Sequence, residues 1–190
     1  LSQISTGKKE NKFGVNEKIF FKLVNFCKNS KNISLKCLSV HIGSQILDYK
    51  PYEKMLRVVD RIIDKINHKF EFIDLGGGMG ISYTHKDKKL NYAKYNKIIK
   101  KFLKRHKSKI IFEPGRSIIG DTGTLISKII YIKKNESKNF IILDAAMNDL
   151  MRPALYGAHH KILPSIKSKR KSNKTYEFVG PICESTDKFN

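Results

Sequence analysis

Apolar residues recur at helical spacing in three segments of the chain, each presenting one apolar stripe. These segments are residues 16–27, 52–66 and 92–105. Short, largely apolar runs of strand length follow them, at residues 36–41, 70–75 and 109–113. Apolar residues at one helical face indicate amphipathic helices, whereas short apolar runs are typical of buried strands. The alternation predicts two successive βαβ units whose strands pair in parallel.

The distances between the strand ends predict a barrel. From His41 to Leu75 is 34 residues and from Leu75 to Glu113 is 38, in each case about one strand plus one crossover helix. Only about three or four such strands are recognisable, whereas a (β/α)8 barrel requires eight for closure. We therefore predict an α/β chain in which residues 1–118 form the C-terminal part of a TIM barrel within a longer protein.

The pattern changes after Arg116. Residues 124–133 and 139–144 are β-branched runs joined by a polar turn, and residues 176–179 form another candidate strand. Adjacent runs without an intervening helix predict an antiparallel pair. Residues 119–190 are therefore predicted to begin a second, β-rich domain of Greek-key or sandwich-like type.

The chain has 38 lysine and arginine residues against 17 acidic ones, a formal net charge of +21. This charge raises the alternative of a noncatalytic, basic nucleic-acid-binding module. Only six of the basic residues are arginines, however, and the lysines are dispersed rather than interleaved with aromatic residues in one tract. We expect solvated lysine-rich surfaces and no nucleic-acid partner. DNA binding that survives about 0.2 M salt would favour the alternative.

The sequence lacks three kinds of pattern that would indicate a membrane, a secretory pathway or a metal site. No run approaches the roughly 18 consecutive apolar residues of a membrane span, and the residues after Leu1 lack a signal-peptide pattern. Three cysteines are too few and too far apart for a disulfide framework or a zinc site. These features predict a cytoplasmic protein without membrane partner or metal. Cys27 and Cys37 are expected to be buried, whereas Cys183 lies in a polar segment.

Candidate functional residues follow each predicted barrel strand, where barrels carry their active sites. They are His41 and Ser44, then Gly76, Gly77 and Gly78, then Glu113 and Arg116. Successive glycines let backbone amides approach a phosphate, an imidazole stacks on a flat ring, and a carboxylate pairs with a ring nitrogen. A phosphorylated flat ring is therefore one candidate ligand. A structural histidine, a tight glycine turn and a Glu113–Arg116 ion pair remain open alternatives.

Six segments, in this order, resemble the motifs of the fold-III pyridoxal-phosphate-dependent decarboxylases. They are Ile4-Ser5-Thr6-Gly7 with Lys12-Phe13-Gly14, His41-Ile42-Gly43-Ser44-Gln45, Asp74-Leu75-Gly76-Gly77-Gly78, Glu113-Pro114-Gly115-Arg116, Met151-Arg152-Pro153-Ala154-Leu155-Tyr156, and Gly180-Pro181-Ile182-Cys183-Glu184-Ser185-Thr186-Asp187. The resemblance covers nearly the whole chain, and the full set is similar to the branch of the family that acts on diaminopimelate. It implies a barrel that binds pyridoxal 5'-phosphate and a reaction that converts meso-2,6-diaminopimelate to L-lysine and carbon dioxide.

The resemblance also implies which residues hold the cofactor. It implies a catalytic role for His41, whose imidazole would stack on the pyridine ring. Ser44 and the amides of Gly76–Gly78 would hold the phosphate. Glu113 would pair with the ring nitrogen and keep it protonated, so that the ring accepts electrons from the reacting carbon.

A second group of residues is implied to act on the substrate. Arg116, Arg152 and Tyr156 would bind its distal carboxylate, because guanidinium groups suit a planar anion, and Glu184 would bind the distal ammonium group. The resemblance implies that Cys183 is catalytic and handles a proton at the reacting carbon. The segment that holds Cys183 reaches the neighbouring subunit's site in the family, so a homodimer is implied.

Two family features have no counterpart in this sequence. The Schiff-base lysine of the family belongs to a strand that would precede Leu1, and a cofactor-contacting tyrosine would follow Asn190. We therefore expect the chain alone to be inactive. Within the family, the alternative substrates are ornithine, arginine, lysine or a carboxylated polyamine. Arg152 and Tyr156 favour a substrate with a distal carboxylate.

Overall fold

A computed structural model of the chain describes residues 12–84, 87–166 and 174–189. The motif segment at residues 4–7 lies outside the described residues. The chain divides into two compact units, one of Leu1–Ser82 with Lys88–Gly123 and the other of Tyr83–Asp87 with Thr124–Asn190. The domain boundary predicted at residue 118 lies within the first of these units, and the assignment of the units to a barrel and a β-rich domain stays a prediction.

The first unit alternates helices and strands as the periodicity predicts. Its helices are α1 (Glu17–Asn29), α2 (Lys50–Ile66), α3 (Tyr92–His106) and the short α4 (Arg116–Ile119). Its strands are β1 (Cys37–Ser39), β2 (Phe72–Asp74) and β3 (Lys109–Ile111). The strands pair in parallel in the order β1-β2-β3, with α2 and α3 as the crossover helices. The two predicted βαβ units are therefore confirmed.

Local sequence sets the helix ends. The Asn16 side chain accepts a hydrogen bond from the Ile19 amide at 2.9 Å, and the Asn91 side chain caps α3 in the same way. Such caps satisfy amides that have no partner within the helix. Helix α2 begins with Pro51 in its first turn, where its fixed backbone angle is compatible with the helix, and ends at Asn67 in the left-handed conformation.

The sheet packs on α2 and α3 through one face. Leu38, Ile73 and Ile110 lie side by side in the register, and the first two are buried in the same core as Tyr52, Tyr95 and residues of both helices. Cys37 lies on the opposite face and is exposed, so the prediction that it is buried was wrong. Alternation along β1 directs Leu38, but not its neighbour, toward the helices. Cys27, also predicted to be buried, is only partly so.

Two buried tyrosines in this core give a matched pair for testing a single hydrogen bond. Tyr52 and Tyr95 pack edge to face with ring centroids 4.7 Å apart. The Tyr52 hydroxyl donates to the Gly77 carbonyl oxygen at 3.1 Å. The buried Tyr95 hydroxyl has no hydrogen-bond partner among the described residues.

Tyr52→Phe is expected to lower the free energy of unfolding by about 1–2 kcal/mol, because the buried Gly77 carbonyl loses its donor. Tyr95→Phe is the control and is expected to leave stability unchanged or raise it, since it removes a buried hydroxyl without a partner. Urea unfolding of the full-length protein measures both. Equal losses in the two variants would contradict the importance of the Gly77 bond.

The described residues of the second unit form a three-stranded sheet and a short helix. Its elements are β4 (Ile129–Lys134), β5 (Asn139–Leu143), α5 (Arg152–Tyr156) and β6 (Glu177–Val179). Strands β4 and β5 pair antiparallel, as predicted, and β6 adds to β5 in parallel. The β-branched run predicted a strand that begins at Thr124. Strand β4 begins five residues later, at Ile129. Among the described residues, no helix combines the length and apolar character that crossing a membrane requires.

Candidate functional site

The loops that follow β1, β2 and β3 are joined by backbone hydrogen bonds beyond the ends of the strands. The Val40 amide donates to the Asp74 carbonyl at 2.9 Å, and the Glu113 amide donates to the Gly76 carbonyl at 2.9 Å. The parallel register therefore continues for two residues past the sheet. His41 and Glu113 lie on either side of Gly76, and two strand spacings separate their backbones by about 10 Å.

The three successive glycines allow this close approach. Gly76 and Gly78 have φ angles of +62° and +88°, which residues with side chains rarely adopt. A Cβ atom on Gly77 would overlap the Glu113 carbonyl oxygen, and one on Gly78 would overlap that of Gly43. The glycines are thus required to pack the loop after β2 between its two neighbours. This requirement holds with or without a ligand.

Two of the three glycine amides are engaged within the loops. The Gly76 amide donates to Oδ1 of the buried Asp74 at 2.8 Å, and the Gly77 amide approaches Nδ1 of His41 at 3.4 Å. No described residue accepts a hydrogen bond from the Gly78 amide. Of the three amides proposed for phosphate binding, that of Gly78 is therefore the best placed to bind an anion.

Three exposed polar side chains surround these loops. The His41 imidazole, the Ser44 hydroxyl and the Glu113 carboxylate are open to solvent at the carboxyl edge of the parallel sheet. The first can stack on a ring, the second can donate to a phosphate, and the third can accept from a protonated ring nitrogen. The residues present therefore fit a flat, phosphorylated heteroaromatic group.

Gln45 connects these loops to Arg116, a role that the sequence pattern did not predict. The Gln45 backbone is in the left-handed region, with φ +61°. Its side-chain nitrogen donates to the Ile81 carbonyl at 2.6 Å, and its side-chain oxygen accepts from Arg116 Nη1 at 3.1 Å. The side chain that follows Ser44 in the motif thus orients a guanidinium 71 residues later in the chain. No local pattern predicts a contact of that range.

Arg152 opens α5 in the second unit and is held by two aromatic side chains. Its Nη1 donates to Tyr83 Oη at 3.3 Å and to His160 Nε2 at 3.1 Å. The guanidinium carbon also lies 5.3 Å from the centroid of the Tyr83 ring, within the range of a cation–π contact. Tyr156 is one helical turn after Arg152 and therefore on the same side of α5. Neither Tyr83 nor His160 was among the predicted site residues.

Asp187 organises the loop that carries Cys183 and Glu184. Its buried carboxylate accepts from the Met147 amide at 2.7 Å and from the Ile182 amide at 2.8 Å. A Cβ on Gly180 would overlap this carboxylate, so the motif needs both residues. Cys183 and Glu184 are exposed on the loop that results.

The Glu184 carboxylate is stabilised in its charged form. It accepts from the Thr186 amide at 3.4 Å and from the Ser185 hydroxyl at 3.2 Å. These two hydrogen bonds, that from the Thr186 amide first, lower the pKa of Glu184 below its ordinary value. The group is therefore an anion at neutral pH and can receive a cation.

Residues 1–120 match the family model described as pyridoxal-dependent decarboxylase, pyridoxal binding domain. The match covers more than half of the chain. The chain belongs to this decarboxylase family. The resemblance carried by the six motifs is thereby confirmed at the level of the family.

The relatives of this pyridoxal-dependent decarboxylase chain include diaminopimelate decarboxylases. That of Aquifex aeolicus (strain VF5) is 39% identical over 187 residues, which cover 97% of this chain and 44% of the relative. The crystal structure of the Helicobacter pylori diaminopimelate decarboxylase complexed with L-lysine is 39% identical, with a TM-score of 0.89. The match covers 99% of this chain and 47% of the Helicobacter pylori chain. The M. jannaschii enzyme, also with L-lysine, matches at 31% identity and a TM-score of 0.86, over 99% and 45% of the two chains. The chain thus spans a little under half the length of these decarboxylases.

The structure of this decarboxylase chain gathers the predicted residues by unit. His41, Ser44, Gly76, Gly77, Gly78, Glu113 and Arg116 belong to the loops at the carboxyl edge of the first sheet or directly follow them. Arg152, Tyr156, Cys183 and Glu184 belong to the second unit, the first two on α5 and the others on the Asp187 loop. The individual roles assigned to these residues stay predictions.

Asp187→Ala is expected to lower the free energy of unfolding of the full-length protein that contains this chain by about 3 kcal/mol. The Met147 and Ile182 amides would lose their acceptor, the buried Asp187 carboxylate, and a hydrogen bond to a charged group is worth about 1.5–3 kcal/mol. Asp149→Ala is the control, because Asp149 is exposed and, among the residues that the structure describes, accepts from the Ala146 amide alone. Urea unfolding measures both variants. A loss no greater for Asp187 than for Asp149 would contradict the organising role of Asp187.

Proposed function

We propose that the full-length protein containing this chain is a pyridoxal-phosphate-dependent decarboxylase that converts meso-diaminopimelate to L-lysine and carbon dioxide. The observation that carries the proposal is the placement of His41 and Glu113 on either side of the glycine loop, Gly76–Gly78. This loop lies in the domain that the family uses to bind pyridoxal. When bound, pyridoxal phosphate supplies an electron-withdrawing ring that accepts the electron pair left as carbon dioxide departs.

The first unit is proposed to bind and orient this cofactor. His41 stacks on the ring, because its imidazole is exposed and its Nδ1 faces the Gly77 amide. The Ser44 hydroxyl and the amides of the glycine loop, foremost that of Gly78, donate to the phosphate. The Glu113 carboxylate holds a proton at the ring nitrogen and so maintains the electron demand of the ring.

The substrate-recognition residues are proposed to act on the distal end of diaminopimelate. Arg116, Arg152 and Tyr156 bind the distal carboxylate, and Glu184, held as an anion, binds the distal ammonium group. Cys183 handles a proton at the reacting carbon. L-lysine, the ligand in two of the similar crystal structures, is the product expected from this reaction.

The same family membership supports three further proposals about the whole protein. Residues 1–118 contribute the C-terminal part of a (β/α)8 barrel, and residues 119–190 begin a β-rich domain. The protein is a homodimer in which the segment around Cys183 serves the neighbouring subunit's site. It acts in the cytoplasm.

The decisive experiment expresses the full coding sequence with pyridoxal phosphate and measures carbon dioxide release from meso-diaminopimelate, ornithine and arginine. Selective release from diaminopimelate supports the proposal. Activity on ornithine or arginine alone would retain the cofactor site but contradict the roles of Arg116, Arg152 and Glu184. Absence of any decarboxylation by a folded, pyridoxal-loaded protein would refute the proposal.

A further inference from the structure

Tyr83 and His160 fix the orientation of the Arg152 guanidinium by binding one of its nitrogens. Both hydrogen bonds to these residues come from Nη1, and the Tyr83 ring adds a cation–π contact. Tyr83 and His160 also contact each other edge to face, with ring centroids 6.0 Å apart. The three side chains form a cluster that we call the Arg152 clamp.

This fixed orientation leaves a defined edge for ligand recognition. Because both bonds to the clamp use Nη1, the edge formed by Nε and Nη2 retains two parallel N–H groups. No described residue accepts a hydrogen bond from that edge. Two parallel donors of a guanidinium match the two oxygens of a carboxylate.

From this geometry we propose that Tyr83 and His160 are positioning residues that set the affinity for a substrate bearing a distal carboxylate. The inference rests on the proposed function, in which Arg152 binds that carboxylate. A free arginine side chain loses rotamer entropy when it is ordered. The clamp orders the guanidinium before the substrate arrives, so that less of this cost opposes binding.

The hydrogen-bond pattern also determines the protonation state of His160. Its Nε2 accepts from the guanidinium, so the ring is neutral and its proton lies on Nδ1. Burial, together with the positive charge of Arg152 and the proximity of His159, lowers the pKa of His160. The ring therefore stays an acceptor at neutral pH and does not repel Arg152.

The test compares variants of the full-length, pyridoxal-loaded enzyme in steady-state decarboxylation of meso-diaminopimelate. His160→Leu removes the acceptor and is expected to raise KM about tenfold with kcat nearly unchanged, because it weakens ground-state and transition-state binding alike. His160→Gln is expected to restore KM to within about threefold, since the amide oxygen can accept from Arg152. His159→Gln, at the exposed neighbouring histidine, is the matched control with unchanged kinetics.

Tyr83→Phe provides an independent second test, because it removes the hydroxyl but keeps the ring beneath the guanidinium. Its KM is expected to rise about threefold, and it carries the test if His160→Leu does not fold. An unchanged KM in an active His160→Leu enzyme would overturn the inference. If His160→Leu does not fold, an unchanged KM in Tyr83→Phe would overturn it. Either result would leave the proposed function standing. A fall in kcat that His160→Gln does not rescue indicates a structural role and also overturns it. A wild-type enzyme inactive on diaminopimelate would refute the proposed function, and the inference with it.

Discussion

For the decarboxylase activity that we propose, Glu113→Gln is expected to reduce kcat on meso-diaminopimelate about a thousandfold. A neutral amide cannot stabilise the positive charge of a protonated pyridine nitrogen, and without that proton the ring withdraws electrons weakly. The side chain is exposed, and the Glu113 amide is the group that bonds to the Gly76 carbonyl. The substitution therefore leaves the loop intact, and the loss falls on the chemistry.

The measurement is steady-state kinetics of the full-length enzyme, with visible absorbance confirming that pyridoxal is bound. Glu136→Gln removes the same charge from an exposed position between β4 and β5 and is the control. We expect its kcat to equal that of the wild type. If Glu113→Gln kept more than about a tenth of the wild-type kcat, the assignment of this carboxylate to the ring nitrogen would be wrong.

Gly77→Ala is expected to destabilise the full-length protein by about 3 kcal/mol or more and to abolish retention of pyridoxal. The added methyl group meets the carbonyl oxygen of Glu113, which is main chain and cannot move aside as a flexible side chain would. The Gly77 carbonyl is in turn fixed by the Tyr52 hydroxyl at 3.1 Å. The loop after β2 therefore has to shift, and its neighbours with it.

Urea unfolding and the absorbance of bound pyridoxal measure these two effects. Gly123→Ala is the control, because no atom lies within 4 Å of the Cβ that it would add. Its stability is expected to lie within about 0.5 kcal/mol of the wild type. Equal stability of Gly77→Ala and Gly123→Ala would show that the loops are not packed as described.

The helices and strands of the first unit were predictable because their signals are local. Helix α2 was predicted to begin at Tyr52 and begins at Lys50, since Pro51 is compatible with the first turn. The exposure of Cys37 was not predictable from its apolar neighbours. It depends on which face of the sheet the helices cover, and alternation alone does not determine that choice.

The site was predictable at the level of motifs but not of the side-chain contacts that support them. His41, Glu113 and Arg152 occur in recognisable segments. Gln45 lies in such a segment too, but its contact and that of Tyr83 are with arginines 71 and 69 residues away. Pairings of that range arise only from the folded chain, and no periodic pattern encodes them.

The hydrogen bonds that join the loops beyond the strands have a consequence for ligand entry. Because the Val40 and Glu113 amides connect main chain to main chain, the carboxyl edge is preorganised before any ligand arrives. An incoming cofactor therefore does not have to offset the entropy of folding these loops. Its affinity then depends on the contacts it makes, and its arrival resembles docking into a rigid receptor more than induced fit.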